Sequence, residues 1–177
     1  MNEEKPIKQK LPDPVYEVKD TELLRQELEE FDFSNPPIDP VMLASDLHYT
    51  MARAGGYGLA ANQCGLEHNV FVLNTEPAMT VYNPKITWYD DRHEVETEGC
   101  LSSPGMFVKI RRPAKIRARF QNEKGETQTH VFEGMTARCF QHEYDHLHGV
   151  DFLDRASPIN VKKAKEKLRK IKRKLKL

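Results

Sequence analysis

The stretch MTARCFQHEYDHL, residues 135–147, decides the fold and carries the strongest motif of the chain. It follows a region of alternating apolar and polar residues and is closed by Gly149, a pattern that predicts a helix. Within this helix His142 and His146 are four residues apart and share one face, where two imidazoles can hold one metal ion. Glu143 lies on the adjoining surface and is a candidate general base. The alternative is an ordinary helix with a histidine-rich polar face.

Strand patterns precede this helix, and further helices flank the strands. Short apolar runs between Val70 and Phe132 predict strands, and Asn-Glu-Lys-Gly at 122–125 predicts a hairpin turn. Helical spacing of apolar residues predicts two helices before the strands, over 21–31 and 41–54, and another follows Asp154. Because helices and strands do not alternate regularly, we expect an α+β fold. A mixed or antiparallel sheet would pack around the helix that carries the histidines, with a C-terminal helix added.

Composition favours one soluble globular domain over residues 1–177. Hydrophobic residues make up 38% of the chain and charged residues 31%, and no apolar run approaches the roughly 20 residues of a membrane-spanning helix. Residues 1–10 lack the apolar stretch of a secretory signal. The three cysteines, Cys64, Cys100 and Cys139, are too scattered for a disulfide framework and are expected to be free thiols, ligands or packing residues. We therefore expect a cytoplasmic protein.

The segment 158–177 is strongly basic although the whole chain has a formal net charge of zero. It contains ten Lys and Arg against one acidic residue, so it carries +9 and the remainder carries −9. Its apolar residues recur at spacings of three and four, which predicts one stripe on an amphipathic helix. These residues are Val161, Ala164, Leu168, Ile171 and Leu175. A basic tail on an acidic body indicates a polyanionic partner, although docking of the helix on the domain is also expected.

A catalytic metal site of this kind needs a third protein ligand, and the motif does not supply it nearby. In the H-E-x-x-H-x-x-G-x-x-H pattern of some families the third ligand would fall at residue 152, which here is Phe152. His148 is two residues beyond His146 and so points away from the shared face. Cys100, in Glu-Gly-Cys-Leu-Ser at 98–102, can present a thiolate, but a buried cysteine is more often a small hydrophobe.

The segment Gly-Tyr-Gly-Leu-Ala-Ala-Asn-Gln, residues 56–63, is a further candidate part of the site. Its glycines allow a ligand backbone to approach closely, and Gln63 offers an amide donor suited to an oxyanion. The alternative is a loop that only caps the preceding helix.

Together, the segments 56–63 and 98–102 and the motif at 142–146 resemble the peptide deformylase family. Its signature has G-x-G-x-A-A-x-Q, E-G-C-x-S and H-E-x-x-H in this order, and every defining position matches. The resemblance implies an enzyme that removes the formyl group from the N-terminal methionine of new polypeptides and releases formate. It implies one divalent metal ion, typically Fe²⁺, with Zn²⁺ or Ni²⁺ able to take the same place. The implied ligands are Cys100, His142 and His146.

The resemblance also implies the roles of further residues. Glu143 would act as general base, and the amide of Gln63 and the backbone N–H of Leu101 would stabilise the oxyanion. The implied substrate-binding residues are Tyr57, Gly58, Glu98, Gly99, Phe107, Met135, Arg138 and Cys139. Arg138 departs from the aliphatic residue common in the family, and Tyr57 replaces the more usual Ile or Val. Glu98 and Arg112 correspond to a supporting charge pair.

Partners follow from the same resemblance. The substrates would be N-formylmethionyl nascent peptides, and relatives with a comparable C-terminal helix use it to sit near the ribosomal exit tunnel, where rRNA phosphates attract it. We expect a monomer and no membrane partner. Two other classes stay open: a metallopeptidase or other amidase on the same ligands, and an RNA- or ribosome-binding protein whose metal site is structural.

Overall fold

Helices and antiparallel strands make up the fold, which we describe from a computed structural model covering residues 15–175. The elements in chain order are α1 (Pro40–Ala54), β1 (Gly58–Ala60), β2 (Val70–Leu73), β3 (Met79–Tyr89), β4 (His93–Gly99), β5 (Phe107–Pro113), β6 (Lys115–Gln121), β7 (Thr127–Glu133), α2 (Gly134–Leu147) and α3 (Pro158–Leu175). Every strand pair is antiparallel. The expected α+β fold is therefore confirmed.

Two sheets position the elements around α2. A five-stranded sheet has the order β1-β2-β3-β6-β7, and β4 and β5 form a separate two-stranded hairpin. The apolar face of α2 packs on the larger sheet, since Ala137, Phe140 and Leu147 belong to one buried cluster with Phe71. The rings of Phe71 and Phe140 meet edge to face at 5.0 Å. The spacing of these helix residues is the helical period that predicted α2.

The opposite face of α2 is polar and buried. It carries Arg138, Gln141, His142 and Asp145, which follow one another at helical spacing and are all less than a tenth exposed. This face meets the β4–β5 hairpin, because Gln141 Nε2 donates to the carbonyl of Pro113 at 3.1 Å. A helix with one apolar and one polar buried face is thus held between the two sheets.

Helix α1 covers a second cluster and delivers the chain to β1. Leu43, Leu47 and Met51 are buried against strand residues of the larger sheet. The helix begins after Asp39, whose carboxylate accepts from the backbone N–H groups of the first turn, and it ends at Gly55 in a left-handed conformation with φ 70°. This agrees with the predicted helix and its glycine stop.

Helix α3 is docked through residues up to Leu168, which lies against Gly105. Ala164 is buried with Val108, Ile110 and Phe152, and Val161 packs beside them. Farther along the predicted stripe, the side chain of Leu175 is 62% exposed. The basic segment was predicted over 158–177, and its last two residues lie outside the described part of the chain.

The predicted helix over 21–31 is wrong. The structure has a single 3-10 turn at Glu22–Arg25, after which the chain is extended. Leu28 N donates to the carbonyl of Leu147 at 2.9 Å, so the strand-like segment satisfies a backbone acceptor at the end of α2. Leu28 and Phe31 enter two different apolar clusters. The apolar side chains of this extended segment are buried in different clusters, and their spacing in the sequence happens to match that of a helix.

Among residues 15–175, no helix is long and apolar enough to cross a bilayer.

Candidate metal centre

One thiol and two imidazoles converge between α2 and the end of β4. The ligand atoms of Cys100, His142 and His146 all lie within 4.8 Å of one another, and among the described residues they form the only such group. The Sγ atom of Cys100 is 3.3 Å from His146 Nε2, and the two imidazole rings are nearly perpendicular. Cys100 and the two histidines, which follow it more than 40 residues later in the sequence, are thus brought together.

The chemistry of this group fits a divalent metal ion. Thiolate and imidazole are common ligands of zinc and iron in proteins. Burial alone would lower the pKa of His142, but hydrogen bonds with Cys100 and Glu98 raise it to about 10. Burial, and then the neighbouring His142, lower the pKa of His146, so its ring is neutral. The neutral ring of His146 and the thiol of Cys100, 3.3 Å apart, offer electron pairs to a cation, and His142 would bind it after releasing its proton.

Glu98 fixes the orientation of His142. Its Oε2 is 3.0 Å from His142 Nδ1, which leaves Nε2 of that ring to face the thiol. The guanidinium of Arg112 donates to both carboxylate oxygens, at 2.7 and 3.0 Å. Burial by itself would raise the pKa of Glu98, but the hydrogen bonds from His142 and Arg112 lower it to about 2. The predicted Glu98–Arg112 pair is confirmed, and it is buried.

Asp145 extends this network to the start of the C-terminal region. It accepts from Arg112 Nη1 at 2.8 Å and from the guanidinium of Arg155. No role for Asp145 was predicted from the sequence. Its position three residues after His142, on the same face of the helix, was the available signal, but the hairpin that supplies its partner could not be inferred.

Glu143 lies beside the group in a buried place. Its pKa is raised to about 7, mainly by burial, and its Oε2 has no hydrogen-bond partner among the described residues. The carboxyl group sits against Gly58: a Cβ atom placed on that glycine would lie 2.5 Å from Oε1. A carboxyl group in this setting can take up and release a proton near neutral pH.

Gln63 presents its amide nitrogen to the same space. It lies in the 3-10 turn Ala61–Cys64, where its Oε1 accepts from the backbone N–H of Ala60 at 2.9 Å. This bond orients Nε2 toward Cys100 Sγ at 3.4 Å and Ser102 Oγ at 3.1 Å. Leu101 follows Cys100 directly, and its side chain packs against the second apolar cluster.

A cavity of about 640 Å³ opens onto the group. Its lining includes all the residues predicted to bind substrate, namely Tyr57, Gly58, Glu98, Gly99, Phe107, Met135, Arg138 and Cys139. Tyr57, Phe107 and Met135 are largely exposed and form an apolar rim. Arg138 differs, because its guanidinium group is bonded to Glu98 and is buried.

Comparisons with known proteins agree on one family. Residues 12–162 match the model of the polypeptide deformylase family. The peptide deformylase of Thermotoga petrophila is 45% identical over 128 residues, which is 72% of this chain and 78% of that protein. Peptide deformylase 1 of Burkholderia multivorans is 38% identical over 146 residues, covering 77% and 81% of the two chains.

Solved structures give the same answer. The peptide deformylase of Synechococcus elongatus in complex with actinonin superposes with a TM-score of 0.82 at 32% identity, covering 90% of each chain. The peptide deformylase of Thermus thermophilus gives a TM-score of 0.75 at 34% identity, covering 92% of this chain and 93% of that one. With its matching motifs, its fold and its buried thiol–imidazole group, this chain belongs to the polypeptide deformylase family.

Proposed function

We propose that the deformylase reaction of this chain takes place at a metal ion held by Cys100, His142 and His146. The enzyme removes the N-formyl group from nascent polypeptides by metal-dependent hydrolysis of the formyl amide. The observation that carries the proposal is the convergence of the three ligand atoms within 4.8 Å. When bound, the ion supplies the Lewis acidity that activates water and polarises the formyl carbonyl.

The proton transfers are assigned to Glu143. Since its pKa is raised to about 7, its carboxylate can accept a proton from the attacking water and then deliver it to the departing amine. The stabilisation of the negative charge that develops on the formyl oxygen is assigned to two hydrogen-bond donors, Gln63 Nε2 and the backbone N–H of Leu101. The fixed orientation of the Gln63 amide supports this role, because donors held in place need no reorganisation during the reaction.

The substrate is assigned to the cavity that opens onto Cys100 and His142. Strand β1 lies at the edge of the five-stranded sheet and pairs with β2 on its other side, so a peptide backbone can add along Gly58 as a further strand. The methionine side chain then enters the cavity behind the rim of Tyr57, Phe107 and Met135. Cys139 contributes to the cavity wall. Glu98 and Gly99, which directly precede Cys100, also line the cavity.

Formate release and metal content, measured on the same preparation, test the proposal. Anaerobically purified protein is expected to contain one Fe²⁺ per chain, with Zn²⁺ or Ni²⁺ as the alternative ions, and to release formate from formyl-Met-Ala-Ser. The unformylated peptide Met-Ala-Ser is the matched control. Cleavage of that peptide without formate release from the formylated one would favour a metallopeptidase, and metal binding with neither activity would favour a structural site.

We further propose that α3 carries the enzyme to the ribosome. The observation in favour is that its outward lysines, including Lys163 and Lys170, are exposed while its opposite side docks through Ala164. Because deletion of the helix would also uncover a buried cluster, charge reversal is the sharper test. Co-sedimentation with ribosomes at low salt should fall for Lys163→Glu/Lys170→Glu and should persist for the control Lys85→Glu/Lys124→Glu. Equal pelleting of both variants would contradict the proposal.

A monomeric state and action in the cytoplasm, where nascent chains emerge, complete the proposal. Light scattering at micromolar concentration tests the first, and fractionation of cells that express the protein tests the second. A dimer mass, or recovery of the enzyme outside the cytoplasmic fraction, would contradict the respective part.

A further inference from the structure

The three proposed ligands belong to two parts of the molecule that are built separately. His142 and His146 are on α2, whose apolar face packs on the five-stranded sheet. Cys100 directly follows β4, which pairs only with β5 among the described strands. The distance between the thiol and the imidazoles therefore depends on the contacts that tie the β4–β5 hairpin to α2.

Arg138 is a tie that reaches both strands of the hairpin. From α2, its Nη1 donates to Glu98 Oε1 at 2.6 Å and to the carbonyl of Ile110 on β5 at 3.2 Å. Its Nη2 donates to the carbonyl of Glu94 on β4 at 2.9 Å. The side chain is only 8% exposed, so these are buried bonds of a charged donor, which are stronger than bonds between neutral groups.

The position of Arg138 couples this tie to the histidine ligand. Arg138 and His142 are four residues apart on one face of α2, and each contacts a different oxygen of Glu98. Oε1 accepts from Arg138 and Arg112, while Oε2 accepts from Arg112 Nη2 and contacts His142 Nδ1. Glu98 in turn lies two residues before Cys100. The carboxylate of Glu98 is thus held by Arg138 of α2 and Arg112 of β5. It fixes the orientation of the His142 ring and the position of Cys100 relative to that ring.

The other contacts between α2 and the hairpin reach different positions, apart from the one between His142 and Glu98. Arg112 joins the hairpin to Asp145, and Gln141 joins it to Pro113, but both bonds lie toward the end of β5. An aliphatic side chain at position 138 would supply the same wall to the cavity and none of the three hydrogen bonds. The stem of Arg138 can line the cavity as an aliphatic residue would, and its guanidinium adds the tie to the hairpin.

We propose that Arg138 is a positioning residue that holds the Cys100-bearing hairpin against α2 and so sets the geometry of the metal ligands. The proposal rests on the proposed function, since it needs an ion at Cys100, His142 and His146. Arg138 acts through Glu98 and the two backbone carbonyls. The three hydrogen bonds of its guanidinium group go to the hairpin.

Cobalt substitution tests the proposal with a readout other than activity. The Co²⁺ form of each protein is prepared, and its visible absorption spectrum and the rate of Co²⁺ transfer to a chelator are measured. For Arg138→Leu we expect a changed thiolate-to-cobalt band, release at least about tenfold faster, and a fall in kcat that exceeds any rise in KM. Arg138→Lys should lie between this variant and the wild type, because a lysine keeps the charge but not the planar fork.

The matched control is Arg111→Leu, which removes an exposed arginine from the same hairpin. It should leave spectrum, release rate and kcat at wild-type values. The proposal is overturned if Arg138→Leu keeps the wild-type spectrum and release rate, even with a lower Tm, because that result describes a merely structural role. If Arg138→Leu does not fold, Arg138→Lys decides in the same way. A wild-type protein that neither takes up Co²⁺ nor releases formate would instead refute the proposed function.

Discussion

At the scale of single residues, the burial of Glu143 suits it to proton transfer and not to metal binding. Its carboxyl group is not part of the thiol–imidazole group, and burial raises its pKa to about 7. Glu143→Gln is therefore expected to keep its metal content and to lose about 10²- to 10⁴-fold in the rate of formate release. Metal analysis and the formate assay on the same sample check both parts.

The matched control for this variant is Glu133→Gln, which changes an exposed glutamate just before α2. It should retain nearly full activity. A Glu143→Gln protein with turnover near that of the control would remove Glu143 from the mechanism.

Gly58 gives a steric test of the same carboxyl group. An added Cβ would lie 2.5 Å from Glu143 Oε1 and 2.8 Å from its Cγ, so Gly58→Ala must displace the side chain. Because the Glu143 carboxyl group is then out of place for proton transfer, kcat is expected to fall about 100-fold. Gly65→Ala is the contrast, since it meets no atom within 4 Å but places alanine at φ +76°. It should cost about 1–2 kcal/mol of stability and leave kcat unchanged. Equal kcat for both variants would contradict the steric account.

The residues of the site were predictable to different degrees for physical reasons. His142 and His146 share one face of a helix and Glu143 lies on the adjoining surface, as their spacing alone indicates. Cys100 and Gln63 required the family resemblance, because spacing within one element says nothing about contacts between elements. The contacts of Asp145 and Arg138 with the β4–β5 hairpin were not predicted, since both depend on how the hairpin packs on α2.

At the scale of elements, the N-terminal cap of α1 is a separable contribution to stability. The carboxylate of Asp39 accepts from Val41 N at 2.8 Å and from Met42 N at 3.0 Å. Asp39→Ala leaves these donors without their partner and is expected to lower the free energy of unfolding by about 1 kcal/mol. A shift of the urea midpoint at unchanged slope measures it. Glu29→Ala, an exposed acidic residue outside the helices, is the control, and an equal shift in both variants would argue against the cap.

Helices were predictable where one face is apolar and glycine ends the element, as in α1 and α2. The segment at 21–31 has a similar spacing of apolar residues without being a helix. Its apolar residues are buried in separate clusters by an extended chain that bonds to the end of α2. Tertiary contacts of this kind override a helical spacing because they satisfy the backbone and bury the same side chains.

At the scale of the whole molecule, stability is expected to fall as the pH drops below about 6.5, in part because of His48. This residue lies on α1, and its Nε2 is 3.1 Å from Thr80 Oγ1. Burial lowers the pKa of its imidazole. The unfolded chain then binds a proton that the folded chain does not, so the stabilisation is complete above the unfolded pKa and is lost as pH falls through the folded value. Urea unfolding of His48→Gln at pH 7.5 and 5.5 should show a smaller decrease than the wild type.

Burial also lowers the pKa of His68, so a part of the decrease remains in that variant. The control is His93→Gln, which replaces an exposed histidine and should keep the full wild-type decrease. A decrease in His48→Gln as large as in this control would exclude His48 as a source.

Removal of the metal tests how much stability a bound ion adds by linking the two sheets. An ion bound as proposed by Cys100 and the two histidines of α2 would link the hairpin to the five-stranded sheet, and it would bind the folded chain in preference to the unfolded one. At a free concentration of about 1,000 times its Kd, such an ion adds about 4 kcal/mol of stability. For a chain of this length, that corresponds to a Tm about 8–16 °C higher than in the chelated protein.

Thermal unfolding with and without chelator measures this difference, and Cys100→Ser is the matched control. Without the thiolate, the control should bind the ion weakly and respond little to the chelator. In the chelated wild type, the hydrogen bonds that Glu98 accepts from His142 and that Asp145 accepts from Arg112 should persist, so the fold should survive at a lower Tm. A wild-type Tm that does not depend on the metal would mean that these hydrogen bonds hold the hairpin on α2 without help from the ion.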